Sequence, residues 1–354
     1  MDIGFKAAGF SVVAANELDR HACSTFRANH PEIELHEGDI VECLPRIVDF
    51  GEIDVIFGGP PCQGFSVAGK MSLDDPRSQL VFQFVEAVDR IRPRAFVMEN
   101  VRALAALPKF AEIRKELIYR LSKCGYRVSM HVLNSRDFGV PQSRERVFFI
   151  GVKHGTPSIQ DASFRRLHKQ PPTLREAIAQ FGRAGTLSNN RTCNAKVTLA
   201  AKPILRRSPY AGMMFNGQGR PLNPDGWSST LPASMGGNRT PIIDEEHLYN
   251  HSPAWVETYH RHLMDGGEPF GMYDAPPHLR RITIDEAAHL QGFPTTYKFQ
   301  GPASSVFCQI GNAVPCKLAE AVATVVRDSL EGRILEQLAN DETLNFPEPE
   351  LELS

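Results

Sequence analysis

Across residues 1–152, short runs of β-branched and aromatic residues alternate with segments whose apolar positions recur at helical spacing. The pattern predicts strands over 11–16, 55–58, 95–98, 128–133 and 146–152, with helices over 78–90 and 110–123. The strands are almost continuously apolar, as in Val55-Ile56-Phe57 and Ala95-Phe96-Val97. Both of their faces must therefore be covered. Alternation of this kind builds an α/β fold, a doubly wound and mostly parallel sheet with helices on both sides. Ligands of such sheets bind beyond the carboxyl ends of the strands. Asp39, Cys62 and Glu99 each follow an apolar run, so one rim is expected to gather them.

From about 153 to 275 the periodicity fades and Pro, Gly, Asn and Ser rise. Pro171-Pro172, Asn216-Gly217-Gln218-Gly219 and Met235-Gly236-Gly237-Asn238 read as turns. Residues 153–278 are thus expected to form a second, smaller, irregular domain with little local order. Periodicity then returns. Thr283 is placed as the N-cap of a helix reaching Leu290, with Glu286 at the capping-box position. A further amphipathic helix is expected over 317–330, so 279–330 returns to the first domain. Residues 331–354 form an acidic, Pro-containing tail expected to fray.

Composition adds constraints. A chain of 354 residues, 42% hydrophobic, suits one large and one smaller domain. No apolar run approaches the roughly 20 residues of a membrane span, and no basic-then-apolar leader opens the sequence. The seven cysteines contain no Cys-x-x-Cys pair, which argues against a disulfide framework or a structural zinc site. A reduced cytoplasm is expected, and it keeps Cys62 as a usable thiol. The net charge of −2 gives no overall attraction to nucleic acid. The distribution is uneven, however. Acidic residues crowd the tail after Asp328, whereas residues 165–281 lean basic and carry several histidines. Phosphate contacts depend on such local charge.

The densest chemical signal is Gly58-Gly59-Pro60-Pro61-Cys62-Gln63-Gly64-Phe65-Ser66. It places a thiol on a Gly/Pro turn straight after a strand, the backbone pre-set by two prolines and open to close approach at the glycines. Met98-Glu99-Asn100-Val101 ends the next strand, and Gln142-Ser143-Arg144-Glu145-Arg146-Val147 enters another. Arg281-Ile282-Thr283 leads to Glu286–Pro294, and Gln309-Ile310-Gly311-Asn312-Ala313-Val314-Pro315 follows. Taken singly, each carboxylate or arginine here is an ordinary solvated side chain. Together and in this order, the blocks resemble the DNA (cytosine-5)-methyltransferases, the bacterial restriction-modification enzymes in particular. The likeness covers nearly the whole chain apart from the middle region and the tail.

That resemblance implies a Rossmann-like catalytic domain dependent on S-adenosylmethionine, a target-recognition domain over 153–278, and duplex DNA as partner. Cys62 is implied as the nucleophile on carbon 6 of cytosine, which turns carbon 5 into an enamine-like carbon. Glu99 is implied as the donor to ring nitrogen N3, a task that needs a dry pocket. Arg144 and Arg146, two apart, share a face; one is expected to hold the cytosine carbonyl and the other a phosphate or the catalytic loop. For the methyl donor, Glu17 is implied at the ribose and Asp39 at the adenine amino group, with Leu18 and Ile40 flanking the ring. Gly59, Pro61, Leu80, Asn312 and Ala313 complete that pocket. The target base must leave the helical stack. Gln63 and Ser66 open a loop, running to Arg77, expected to close over it. Thr230, in Thr230-Leu231, resembles the family's Thr-Leu element, and Arg239 is placed to meet a base edge or a phosphate.

The chain departs from the family in two places. Leu18 stands where a tryptophan is common. Met1 to Phe10 resembles only the end of the family's first block, so the opening strand and glycine loop are expected to lie upstream of Met1. The competing expectations are a catalytically impaired DNA-binding relative and an RNA cytosine-5 methyltransferase. A monomer and a companion restriction endonuclease complete the expectations.

Overall fold

The structure, a computed structural model, describes residues 1–47, 51–61 and 79–333. Its strands are β1 (Ala14–Glu17), β2 (Glu34–Glu37), β3 (Val55–Gly58), β4 (Ala95–Val101), β5 (Tyr126–Asn134), β6 (Glu145–Lys153), β7 (Leu199–Ile204), β8 (Met213–Phe215), β9 (Ile242–Asp244) and β10 (Leu279–Arg281). The strand expected over 11–16 is shifted to β1, and the pattern missed β2 altogether. With Glu34, His36 and Glu37 in its four residues, β2 carries almost no apolar signal. The helices expected over 78–90 and 110–123 are found at Gln79–Ile91 and Ala111–Lys123.

The chain divides into two compact units. One comprises Met1–Asp49, Leu133–Arg146 and Lys169–Glu320; the other comprises Phe50–Val132, Val147–His168 and Ala321–Ser354.

The second unit is built on a sheet of order β3-β4-β6-β5, with β3 and β4 parallel and Gly58 opposite Met98. The helices Gln79–Ile91 and Ala111–Lys123 present Val81, Phe84, Val88, Ile113 and Leu117 to Phe96, Met98 and Phe149 of the sheet. Each such side chain stabilises the fold by about 1.5–3 kcal/mol when buried. Phe96 sits at the centre, edge-on to Phe84 at 6.1 Å and to Tyr126 at 5.2 Å. This core fixes the carboxyl ends of β3 and β4.

In the first unit β1 and β2 pair in parallel, Glu17 opposite Glu37. Leu174, Ile178, Leu231 and Ile243 share one core with Ile282, Leu290, Phe307 and Ile310. A second core gathers Leu199, Phe215, Tyr259 and Leu279. The middle region is more ordered than its composition suggests. It holds the helices Glu245–Asn250 and Trp255–Met264, the first capped by the Asp244 carboxylate on the N–H groups of Glu246 and His247. Thr283 caps the helix Ile284–Leu290 with Glu286 closing the reciprocal bond, as the sequence predicts.

Candidate active site

The chain leaves β3 through Gly59, Pro60 and Pro61; Cys62, Gln63 and Ser66 lie outside the described residues. Next door, Glu99 lies in β4 just past Met98, the last residue registered against β3, and is 9% exposed. A Cβ on Gly59 would stand 2.9 Å from Glu99 Oε2, so only glycine lets the loop pass this close to the carboxylate. Asn100 fastens the same loop: its Nδ2 donates to Pro60 O at 2.9 Å, while its Oδ1 accepts from Val101 N–H. Asn100 thus holds the segment at Pro60, and its neighbour Glu99, the candidate acid, lies close against Gly59 of the same segment.

The block from Gln142 to Arg146 is anchored in the first unit. Gln142 is fully buried, its Nε2 donating to Leu290 O and to Gln291 Oε1, its Oε1 accepting from Leu231 N–H. Gln291 passes the connection on, donating to Ile310 O at 2.6 Å. Arg144 is also buried; its two terminal nitrogens donate to Leu231 O at 3.0 Å and Gly311 O at 2.7 Å. Gly311 has no room for a side chain, since a Cβ there would meet Pro232 O at 2.5 Å. The two arginines consequently do different things. Arg144 ties the Thr-Leu element to the last motif, whereas Arg146, on β6, is half-buried and its Nη1 donates to its neighbour's carbonyl, Glu145 O, at 2.7 Å. Gln142 and Gln291 belong to the quoted motifs, yet sequence reasoning gave them no role. Nothing in one sequence says that a motif glutamine is buried.

The candidate donor site begins at the carboxyl ends of β1 and β2. Glu17 is half-buried, and its Oε1 accepts from the N–H groups of Leu18 and Asp19. Asp39 is exposed, its Oδ1 accepting from Val41 N–H at the start of the helix Ile40–Ile47. Asn16 braces the turn between them with bonds to His36 O and Gly38 O. Beneath, burial and then the Glu37 and Glu17 carboxylates push the Cys23 thiol up to about 11, so it stays protonated and donates to Glu17 O. Two carboxylates at adjacent strand ends, beside the 68%-exposed Leu18, suit a ribose diol and an adenine face. These residues therefore fit the nucleoside half of S-adenosylmethionine. Asn312 ends the helix Ala303–Asn312, with Nδ2 3.5 Å from Cys308 Sγ, and Ala313 caps it. Leu80 lies in the first turn of Gln79–Ile91 and is partly buried.

Of the DNA-facing candidates, Thr230 is exposed and its hydroxyl donates to Ser143 O at 3.1 Å. Arg239 is exposed beside Ser234. Among the described residues no group of three or more His, Cys, Asp or Glu could hold a metal ion, and no helix is long and apolar enough to cross a membrane.

The chain is similar to known proteins along most of its length. The chain is 32% identical over 336 residues to the type II methyltransferase M1.HphI of Haemophilus parahaemolyticus, covering 92% of this chain and 82% of that protein. It is 31% identical over 348 residues to M.NgoPII of Neisseria gonorrhoeae, covering 94% and 93%. The Dnmt2 methyltransferase of S. pombe superposes with a TM-score of 0.66 at 17% identity, over 93% of this chain and 95% of that one, a likeness of fold. S-adenosylmethionine is the methyl donor of the family. The family model for C-5 cytosine-specific DNA methylases matches residues 1–327. With one of its motifs built around the Glu99–Gly59 approach and another around the Arg144 clamp, this chain belongs to the C-5 cytosine-specific DNA methylase family.

Proposed function

We propose that the chain methylates carbon 5 of cytosine in duplex DNA through a transient bond between Cys62 and an extruded base. The observation that carries this reading is the approach of Glu99 to Gly59, which sets a buried-side carboxyl group three residues from the thiol-bearing position. Attack of the Cys62 thiolate forms an S–C6 bond and drives an electron pair toward N3. Glu99 supplies the proton or hydrogen bond that N3 then needs. Arg146 takes the cytosine carbonyl, since Arg144 is committed to Leu231 and Gly311. Bound S-adenosylmethionine supplies an electrophilic methyl group to carbon 5. Transfer of the carbon-5 proton to solvent expels the Cys62 thiolate from carbon 6, N3 returns its proton to Glu99, and 5-methylcytosine and the enzyme are released.

Glu17 and Asp39 hold the nucleoside of the donor, with Leu18 and Ile40 against the adenine and Gly59, Pro61, Leu80, Asn312 and Ala313 around the rest. Gln63, Ser66, Thr230 and Arg239 face the DNA, and residues 153–278 read the target sequence. A monomeric, cytoplasmic enzyme paired with a restriction endonuclease completes the proposal, in keeping with the type II relatives.

The test is incorporation of tritiated methyl groups into duplex DNA and, in parallel, into transfer RNA. Incorporation into DNA alone, abolished by Cys62→Ser, is the expected result. Undiminished incorporation by that variant, or incorporation into RNA alone, contradicts the proposal.

A further inference from the structure

An exposed aromatic residue stands beside the Arg144 block. Trp227 is 43% exposed, and the Arg136 guanidinium lies over its ring, 4.8 Å from the centroid. The Arg136 side chain is itself 41% exposed and, among the described residues, its ion pair is a long 3.8 Å approach to Asp137. An open indole of this kind usually helps hold its loop in place. Here the loop is held without it.

On the N-terminal side, Pro224 O and Gly226 O accept from Arg175 and Leu174 N–H, and Asp225 pairs with the Arg175 guanidinium. On the C-terminal side, Ser228 N–H donates to Pro141 O and Ser143 N–H to Ser228 O. Thr230 Oγ1 bonds Ser143 O, and Leu231 is fixed by Gln142 and Arg144. The segment is therefore zipped to the catalytic block along its backbone, and Trp227 projects from a fixed base with its flat cation.

We propose that Trp227 and Arg136 form a contact platform for the DNA strand flanking the target cytosine, Trp227 against a sugar or base face and Arg136 on a phosphate. Indoles stack on any base, and guanidinium groups favour phosphate, so the pair suits nucleic acid better than a neutral partner. Because the segment is bonded to Ser143 and to the Arg144 clamp, a contact here is transmitted to the block that holds the base. The inference rests on duplex DNA being the substrate, so wild-type methylation of DNA is measured first, and its absence counts against that reading alone.

The chain has two tryptophans, the other being Trp255, stacked on Tyr259 at 4.8 Å. Two readouts follow. In the wild-type protein, duplex DNA should shield one of the two indoles from acrylamide quenching and shift its emission, and Trp227→Phe should lose that response. In steady state, Trp227→Ala and Arg136→Ala should raise the KM for DNA about tenfold or more with kcat within about twofold and an unchanged affinity for S-adenosylmethionine. Arg136→Lys should recover part of the loss, because the charge remains. A wild-type indole equally quenched with and without DNA overturns the proposal whether or not the variants fold. So does an unchanged KM in folded variants.

Discussion

Glu99 Oε2 lies 2.9 Å from the point where a Cβ of Gly59 would be. The contact involves the far end of a flexible side chain, so an alanine there displaces the carboxylate and leaves the fold standing. Gly59→Ala is expected to lower kcat about 10- to 100-fold, the scale of loss that follows a misplacement of about 1 Å. Its melting temperature should fall by no more than about 2–4 °C. Steady-state methylation and a thermal melt on the same sample check both halves. A kcat equal to that of the wild type would mean that the carboxylate position is irrelevant to turnover.

Arg144 and Arg146 should fail in different ways. Lysine at 144 has one ammonium where two guanidinium nitrogens reach separate carbonyls, and each such charged hydrogen bond is worth about 1.5–3 kcal/mol. Arg144→Lys is expected to melt early and lose activity with its fold. Arg146→Lys is expected to melt with the wild type and lose methyl transfer. Equal losses of stability in the two variants would remove the division of roles.

Gln142→Ala strips partners from Leu231 N–H and Gln291 Oε1 in a buried site. Each orphaned group costs about 1–3 kcal/mol, so denaturant unfolding should show a drop of that size or more. A change below about 0.5 kcal/mol would show that the glutamine spine does not hold these segments together.

Much of this was legible beforehand, and the exceptions have physical causes. Val55–Gly58 and Ala95–Val101 announce themselves because a strand covered on both faces must be apolar throughout. β2 could not, since Leu35 is its one apolar residue and its placement comes from pairing with β1. The turn chemistry around Thr283 and Glu286 is local and therefore readable. The separation of Arg144 from Arg146 is not, because it depends on Leu231 and Gly311, 87 and 167 residues away in sequence. The helices of the middle region were missed because Pro and Gly around them masked a short period, although Asp244 followed by two glutamates is an N-cap signal.

His289 gives a pH dependence. Burial, and then the charge of Lys317, holds its pKa below the ordinary 6.5, so the folded state favours neutral imidazole. A group with a depressed folded-state pKa contributes its full stability above the unfolded value and loses it as pH falls toward the folded one. Stability should thus decline as pH drops below about 6.5, and His289→Asn should flatten that slope. Melting curves between pH 7.5 and pH 5 compare the two proteins; parallel slopes would assign the decline to other groups.

The most direct test uses a duplex substrate with 5-fluorocytosine at the target position, where the carbon-5 fluorine cannot leave as a proton does. In the presence of S-adenosylmethionine the protein should form a denaturation-resistant complex, with peptide mass spectrometry locating the modified base on Cys62. Methylation of ordinary duplex DNA by a protein that forms no such complex, or an adduct mapped to another residue, would contradict the account.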